Sequence, residues 1–240
     1  KEIFEVTWNV ESAEKAGYEH FMLKEIHEQP TALRETLRGN IKDNMVDLSE
    51  LKIDDIFIGV EKEYIVACGL VGRNIIEKLA QIPVETDIAS EFRYRDVLWH
   101  PHSVMIVISQ SGETADTLAV LREAKRKGIK VLAVTNVVGS SAAREADRVI
   151  YTHAGPEIAV ASTKAYSTQL LVMYLLGLHL ARIRGTCDEP QLVELAEGIS
   201  HIDELVEKVL TQQDKIMHLA EKYQGVQDTF FLGRGIDYSV

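Results

Sequence analysis

The sequence predicts an α/β fold: a doubly wound α/β/α sandwich around a parallel five-stranded sheet, flanked by long helices. Three observations carry that reading. Short apolar runs alternate with segments of helical spacing over residues 64–152, the pattern of successive βαβ units. The run Val104-Met105-Ile106-Val107-Ile108 is apolar throughout, as a strand covered on both faces requires. Composition completes the case. Of 240 residues, 46% are hydrophobic and 26% charged, enough apolar surface to offset chain entropy. The length suits one large or two small domains.

Taken in order, residues 3–8 alternate apolar and polar side chains and read as one short strand. No partner follows nearby, so its sheet is expected in a domain upstream. Residues 21–37 have helical spacing, with Pro30 marking a break or a first-turn position. The first strand of the sheet is the apolar run 64–69, ending at Gly69. A helix follows over 71–81, with Ile75, Ile76 and Leu79 on one face. Strands are expected at 84–88, 104–108, 131–134 and 148–152, and a helix at 113–127. Right-handed crossovers should wind them into the sandwich. Residues 163–184 form a long helix that is apolar nearly all round, hence buried in a core or a subunit interface. A further long helical stretch covers 190–223, and 229–232 read as a last strand before Gly233-Arg234-Gly235.

Charge narrows the function classes. The 37 acidic against 26 basic residues give a net charge of −11. A pI near 5.2 argues against nucleic acid as partner, since such a protein needs a basic face. Residues 186–223 hold nine acids and three bases, so more than half the excess sits there. That is read as a solvated helix face. Cys68 and Cys187 make no disulfide framework, and a reducing, cytoplasmic setting is expected. No signal peptide opens the chain, and its most apolar stretch, 170–181, is shorter than the ~20 residues of a bilayer span. The start at Lys1 and the stop at Val240 suit a piece of a larger protein.

The chemistry concentrates in Ser109-Gln110-Ser111-Gly112-Glu113-Thr114, where an apolar strand gives way to a helix. Ligands of open α/β sheets bind outside the carboxyl ends of the strands. A helix start there offers free N–H groups and the positive end of the dipole, which suits a phosphate. Hydroxyls of Ser109, Ser111 and Thr114 and the Gln110 amide would join them, while Gly112 admits close approach. This is a neutral cradle, not a P-loop, because no G-x-x-x-x-G-K-[ST] occurs. A plain helix cap by Ser109 or Ser111 explains the same residues equally well. Glu113 and Asp116 would repel a phosphate and must point away. A second cluster, Glu157-Ile158-Ala159-Val160-Ala161-Ser162-Thr163-Lys164, opens the long helix. It reads as a capped helix start, by Ser162 or Thr163, or as a sugar-facing loop; Lys164 reads as an exposed first-turn lysine. His100 and His102 lack the partners of a metal site. Cys68, at a strand end, reads as a small core residue.

Three motifs in order resemble the sugar isomerase (SIS) module of the glutamine–fructose-6-phosphate aminotransferases. They are Ser109 to Thr114, Ile88-Ala89-Ser90-Glu91-Phe92-Arg93-Tyr94-Arg95, and Glu157 to Lys164. The resemblance runs from about Gly17 to Val240 and implies a flavodoxin-like SIS fold. It implies that Ser109, Gln110, Ser111 and Thr114 bind the sugar phosphate, that Val160, Ala161 and Ser162 touch the sugar, and that Cys68 and Gly69 line the same pocket. Fructose 6-phosphate and glucosamine 6-phosphate are the implied ligands, with no cofactor and no metal. On this basis residues 1–20 are the remnant of a glutaminase domain and linker, 21–60 a helical lead-in, and 61–240 a first SIS domain. Residues 224–240 would enter a second SIS half.

Two departures from the family follow. Gly69 runs straight into Leu70-Val71-Gly72-Arg73, where the family carries a Thr- and Ser- or Ala-containing loop. The loop is either deleted or disordered; closely matching flanks favour the second. The family's catalytic Lys, Glu and His belong to the second half, and its nucleophilic Cys to the glutaminase domain. The expectation is therefore sugar-phosphate binding without catalysis by this piece alone, and a homodimer built on the apolar 170–181 face unless that face is core. Alternatives are a non-catalytic SIS sugar-phosphate sensor and a single-domain sugar-phosphate isomerase. Residues 1–60 show no basic recognition helix, which weighs against the sensor.

Overall fold

The computed structural model describes residues 14–66 and 69–235. The expected strand at 3–8 and Cys68 lie outside them. Five strands form one parallel sheet: β3 (Lys62–Val66), β4 (Val84–Asp87), β5 (Ser103–Ser109), β6 (Lys130–Thr135) and β7 (Arg148–Tyr151). Their order is β4-β3-β5-β6-β7. From β3 the chain steps outward to β4, then returns to the other side of β3 to lay down β5. The carboxyl ends of β3 and β5 therefore flank a topological switch point, the ligand position of such sheets.

Side-chain alternation builds the three layers. On one face Ile65, Ile106, Leu132 and Ile150 pack with α3 (Leu70–Leu79) and α7 (Lys164–Arg184). On the other, Tyr64, Met105, Val131 and Ala133 meet Leu118, Val120, Leu121 and Ala124 of α5 (Ala115–Arg126). All seven residues of β5 are buried, each aliphatic side chain contributing about 1.5–3 kcal/mol. The doubly wound sandwich is thus as expected. The apolar middle of α7 is core: Leu171, Val172, Met173, Leu175, Leu176 and Leu178 are 5% exposed or less. The buried middle of that face is accounted for by the core of this chain.

Around the sheet several details differ from expectation. Helix α1 (Phe21–Leu37) runs unbroken through Pro30. Proline cannot donate to the carbonyl four residues back, but the Gln29 side-chain amide donates to Ile26 O at 3.2 Å instead. Strands β1 (Ile41–Lys42) and β2 (Met45–Val46) form an unanticipated hairpin. Asp43 and Asn44 turn it with φ of 51° and 59°, the left-handed pair a two-residue hairpin needs. A 3₁₀ turn (Ser49–Leu51) and α2 (Asp54–Phe57) lead into β3. Residues 190–223 are not one helix but three: α8 (Glu189–Ser200), α9 (Ile202–Leu210) and α10 (Gln213–Tyr223). No strand forms at 229–232; Phe230, Phe231 and Leu232 are 86–95% exposed. Among the described residues no strand pairs with them. Short α4 (Ala89–Phe92) and α6 (Ser141–Glu145) complete the fold.

Candidate functional site

The loop from β5 to α5 departs from the carboxyl end of the sheet. Ser109 is the last residue of β5 and is buried. Its hydroxyl accepts the Gly112 N–H at 3.0 Å and shares a 3.0 Å hydrogen bond with the Thr114 hydroxyl. Ser111 Oγ accepts the Glu113 N–H at 3.2 Å. Both serines thus shape the turn and neither caps the helix. Thr114 stands at the N-cap without a side-chain cap bond. Among the described residues no side-chain cap bond is made at the start of α5, so a plain capping role does not account for these two serines.

The loop is braced from the β6 side. Gln110 O accepts the Asn136 N–H at 3.1 Å, and Gly112 O accepts the Ala142 N–H at 3.0 Å. Gly112 has φ +66°, a conformation that favours glycine. An added Cβ would stand 2.2 Å from Ser140 Oγ and 2.9 Å from Thr135 Oγ1. The turn is therefore closed to any larger residue on two counts.

The two acids at the helix start are held elsewhere, as required. Glu113 Oε1 accepts the Ser141 N–H at 2.7 Å. The Ser141 amide and hydroxyl hold its carboxyl below the usual carboxylate range. Asp116 pairs with Arg93 at 2.5 Å, which offsets a charge that would otherwise repel an anion. The motif 88–95 does structural work here. Phe92 is buried against Tyr64 and Trp99, Arg95 pairs with Glu85 and Asp87, and Arg93 reaches the first turn of α5.

Asn136, which the sequence reading passes over, joins this loop to the next. It is 5% exposed at the end of β6. Its Nδ2 donates to Gly155 O at 2.7 Å, and its Oδ1 accepts from Ala154 N at 2.9 Å. The pair Thr135-Asn136, closing the apolar run 131–134, was the available signal.

The second cluster is built differently from expectation. Neither Ser162 nor Thr163 caps α7. The cap is Glu157, whose Oε1 accepts Thr163 N at 2.8 Å and Ala165 N at 3.2 Å. Ser162 donates its hydroxyl to Glu157 Oε2 at 2.9 Å. Lys164 is 3% exposed rather than solvent-facing, and its Nζ pairs with Glu28 at 2.7 Å. Val160, Ala161 and Ser162 form the exposed crest of the loop. Gly69 stands at the N-cap of α3, three residues beyond the last residue of β3. An added Cβ there would lie 2.6 Å from Ile65 Cγ2. The weaker candidates remain peripheral: His100 bonds the His102 N–H and approaches Glu61 at the surface.

Comparison with known proteins gives three findings. The SIS domain family matches residues 56–179. The glutamine–fructose-6-phosphate aminotransferase (isomerizing) of Clostridium tetani is 55% identical over 252 residues, covering 100% of this chain and 41% of that protein. The C-terminal domain of glucosamine-fructose-6-phosphate aminotransferase from Francisella tularensis superposes with a TM-score of 0.90 at 37% identity, covering 94% of this chain and 65% of that one. The chain thus spans 41% of the length of the curated relative.

Proposed function

Because the chain belongs to the SIS domain family, we propose that it binds a sugar phosphate at the carboxyl end of its sheet. In this reading it is the isomerase-domain part of a longer enzyme of the kind its relatives are named for. That enzyme converts fructose 6-phosphate and glutamine to glucosamine 6-phosphate and glutamate. The observation that carries the proposal is the uncapped start of α5 beside two turn-forming serines. The phosphate would sit on the amides of 115–117 with the hydroxyls of Ser109, Ser111 and Thr114 and the Gln110 amide around it. Backbone N–H groups and hydroxyls donate to phosphate oxygens without needing a lysine, and the helix dipole supplies the favourable field.

The rest of the reading follows from position. Val160, Ala161 and Ser162, exposed on the neighbouring rim, take the sugar end. Gly69 and Cys68 close the pocket from the β3 side; Cys68 falls outside the described residues. The relative's alignment extends over 252 residues against the 240 of this chain, which is compatible with a loop missing after Gly69. Residues 1–20 then belong to an upstream glutaminase domain and linker, 21–60 to a lead-in, and 61–240 to the first SIS domain. The exposed apolar residues of 224–235 await a second half. The chain alone binds and does not turn over. Pairing with a second copy, in a cytoplasmic setting, would use a surface other than the apolar face of α7.

Titration with fructose 6-phosphate and with inorganic phosphate, followed by calorimetry, tests the proposal. Ser109→Ala combined with Ser111→Ala is expected to weaken both by at least about tenfold, two lost hydrogen bonds at roughly 1 kcal/mol each. Indifference of the unmodified chain to both ligands would contradict it.

A further inference from the structure

Two carboxylates lie beneath the 157–163 loop, and only one belongs to it. Glu25 comes from α1, more than a hundred residues away in sequence, and is 2% exposed. Its Oε1 accepts the Ile158 N–H at 2.6 Å, and both its oxygens accept the Ala159 N–H at 3.2 Å. Glu157 accepts the Thr163 and Ala165 amides on the far side of the crest. Four backbone donors of this rim are therefore committed to carboxylates. Val160, between the two clamps, is fully exposed.

The contrast with the β5–α5 loop is electrostatic. There, the first helix amides are uncapped and the acids are turned away or paired. Here, the amides are occupied and two carboxylates stand behind them, which disfavours a second anion. Helix α1 supplies a further tie: Lys164 at the start of α7 pairs with Glu28 at 2.7 Å, and Lys24 with Glu28 at 3.5 Å. Thr36 of α1 also donates to Thr152 O at the end of β7.

We infer that Glu25 is a positioning residue for substrate orientation. By fixing the amides of Ile158 and Ala159 it holds Val160–Ser162 in register against the sugar end. Of these two loops, it leaves only the one before α5 open to the phosphate. The lead-in helix is thereby part of the binding site rather than a connector. This rests on the reading of Val160, Ala161 and Ser162 as sugar contacts.

The test compares dissociation constants for fructose 6-phosphate and inorganic phosphate in the unmodified chain, Glu25→Ala and Glu25→Gln. Glu25→Ala is expected to cut the preference for sugar phosphate at least about fivefold, with inorganic phosphate affinity unchanged within about twofold. Glu25→Gln keeps one acceptor oxygen and should lose only about twofold of that preference. If the alanine variant does not fold, Glu25→Leu, which keeps the side-chain volume and removes both acceptor oxygens, takes its place with the same expected loss. An unchanged preference in the folded variants, or a parallel loss for both ligands, overturns the inference. If the unmodified chain itself shows no preference, the reading of 160–162 falls first and takes the inference with it. Amide exchange at Ile158 and Ala159 separates the cases. An unchanged preference with these amides deprotected in Glu25→Ala means that the clamp exists and does not orient the substrate.

Discussion

Gly112 sits at φ +66° with Ser140 where a Cβ would stand, so Gly112→Ala combines left-handed strain with overpacking. The expected cost is roughly 2–4 kcal/mol, read as a lower denaturant midpoint, together with loss of phosphate binding. A stability within 0.5 kcal/mol of the unmodified chain, a window set by ~0.5 kcal/mol surface substitutions, would contradict this. Glu63 carries a different prediction. Its side chain on β3 is fully buried, and its carboxyl oxygens have no hydrogen-bond partner among the described residues. Burial pushes it up to about 8, against a weaker opposing pull from Arg184. Between its ordinary 4.5 and about 8 the unfolded chain has released this proton and the folded chain keeps it. Raising pH through that window therefore favours unfolding, at about 1.4 kcal/mol per unit of separation. Urea midpoints of the unmodified chain should fall from pH 5 to 8, and Glu63→Gln should flatten the slope. Parallel slopes would sink the assignment. The reach of sequence reading shows at this scale too. Ser109, Ser111 and Gly112 were legible because hydroxyls and a glycine at a strand end are local signals. Glu25 and the burial of Lys164 were not, since their partners lie 133–136 residues away.

At the scale of elements, strands announced themselves and helix ends did not. The central strands β3, β5 and β6 each contain an apolar run and were legible to within two or three residues. The edge strand β4, Val84-Glu85-Thr86-Asp87, holds a single apolar residue and is placed by its position in the βαβ alternation. The acidic stretch 190–223 holds no proline after Pro190, so its sequence does not separate α8, α9 and α10. The hairpin at 41–46 was hidden in four paired residues, too few for a pattern. The apparent strand at 229–232 had the right composition, but a strand exists only with a partner, and no neighbour pairs with it among the described residues. Packing of α3 on α7 yields a sharper prediction. A Cβ at Gly177 would lie 2.5 Å from Ile75 Cγ2. Gly177→Ala should destabilise by about 1–3 kcal/mol despite the better helix propensity of alanine. With Ile75→Ala the new methyl occupies part of the vacated volume. The double variant should then be more stable than the sum of single effects by about 1 kcal/mol in a thermodynamic cycle. Strict additivity would show that the two helices do not meet there as described.

Across the whole molecule, the charge of −11 and the proposed anion site are reconciled by placement. The acids near the cradle are paired with Arg93 or turned to the Ser141 amide, and much of the remaining excess lies on α8–α10. The fold class was legible in full, since alternating runs leave few alternatives. The site was legible as two separate clusters. What the sequence could not convey is that Asn136 and α1 tie those clusters to one rim of the sheet. The account's central claim is that this rim divides the ligand, phosphate on α5 and sugar on 160–162. Backbone amide shifts report it most directly. Inorganic phosphate should move the amides of 111–117 and leave 158–163 in place; fructose 6-phosphate should move both. Shifts confined to other parts of the sheet, or identical perturbation by the two ligands, would contradict it.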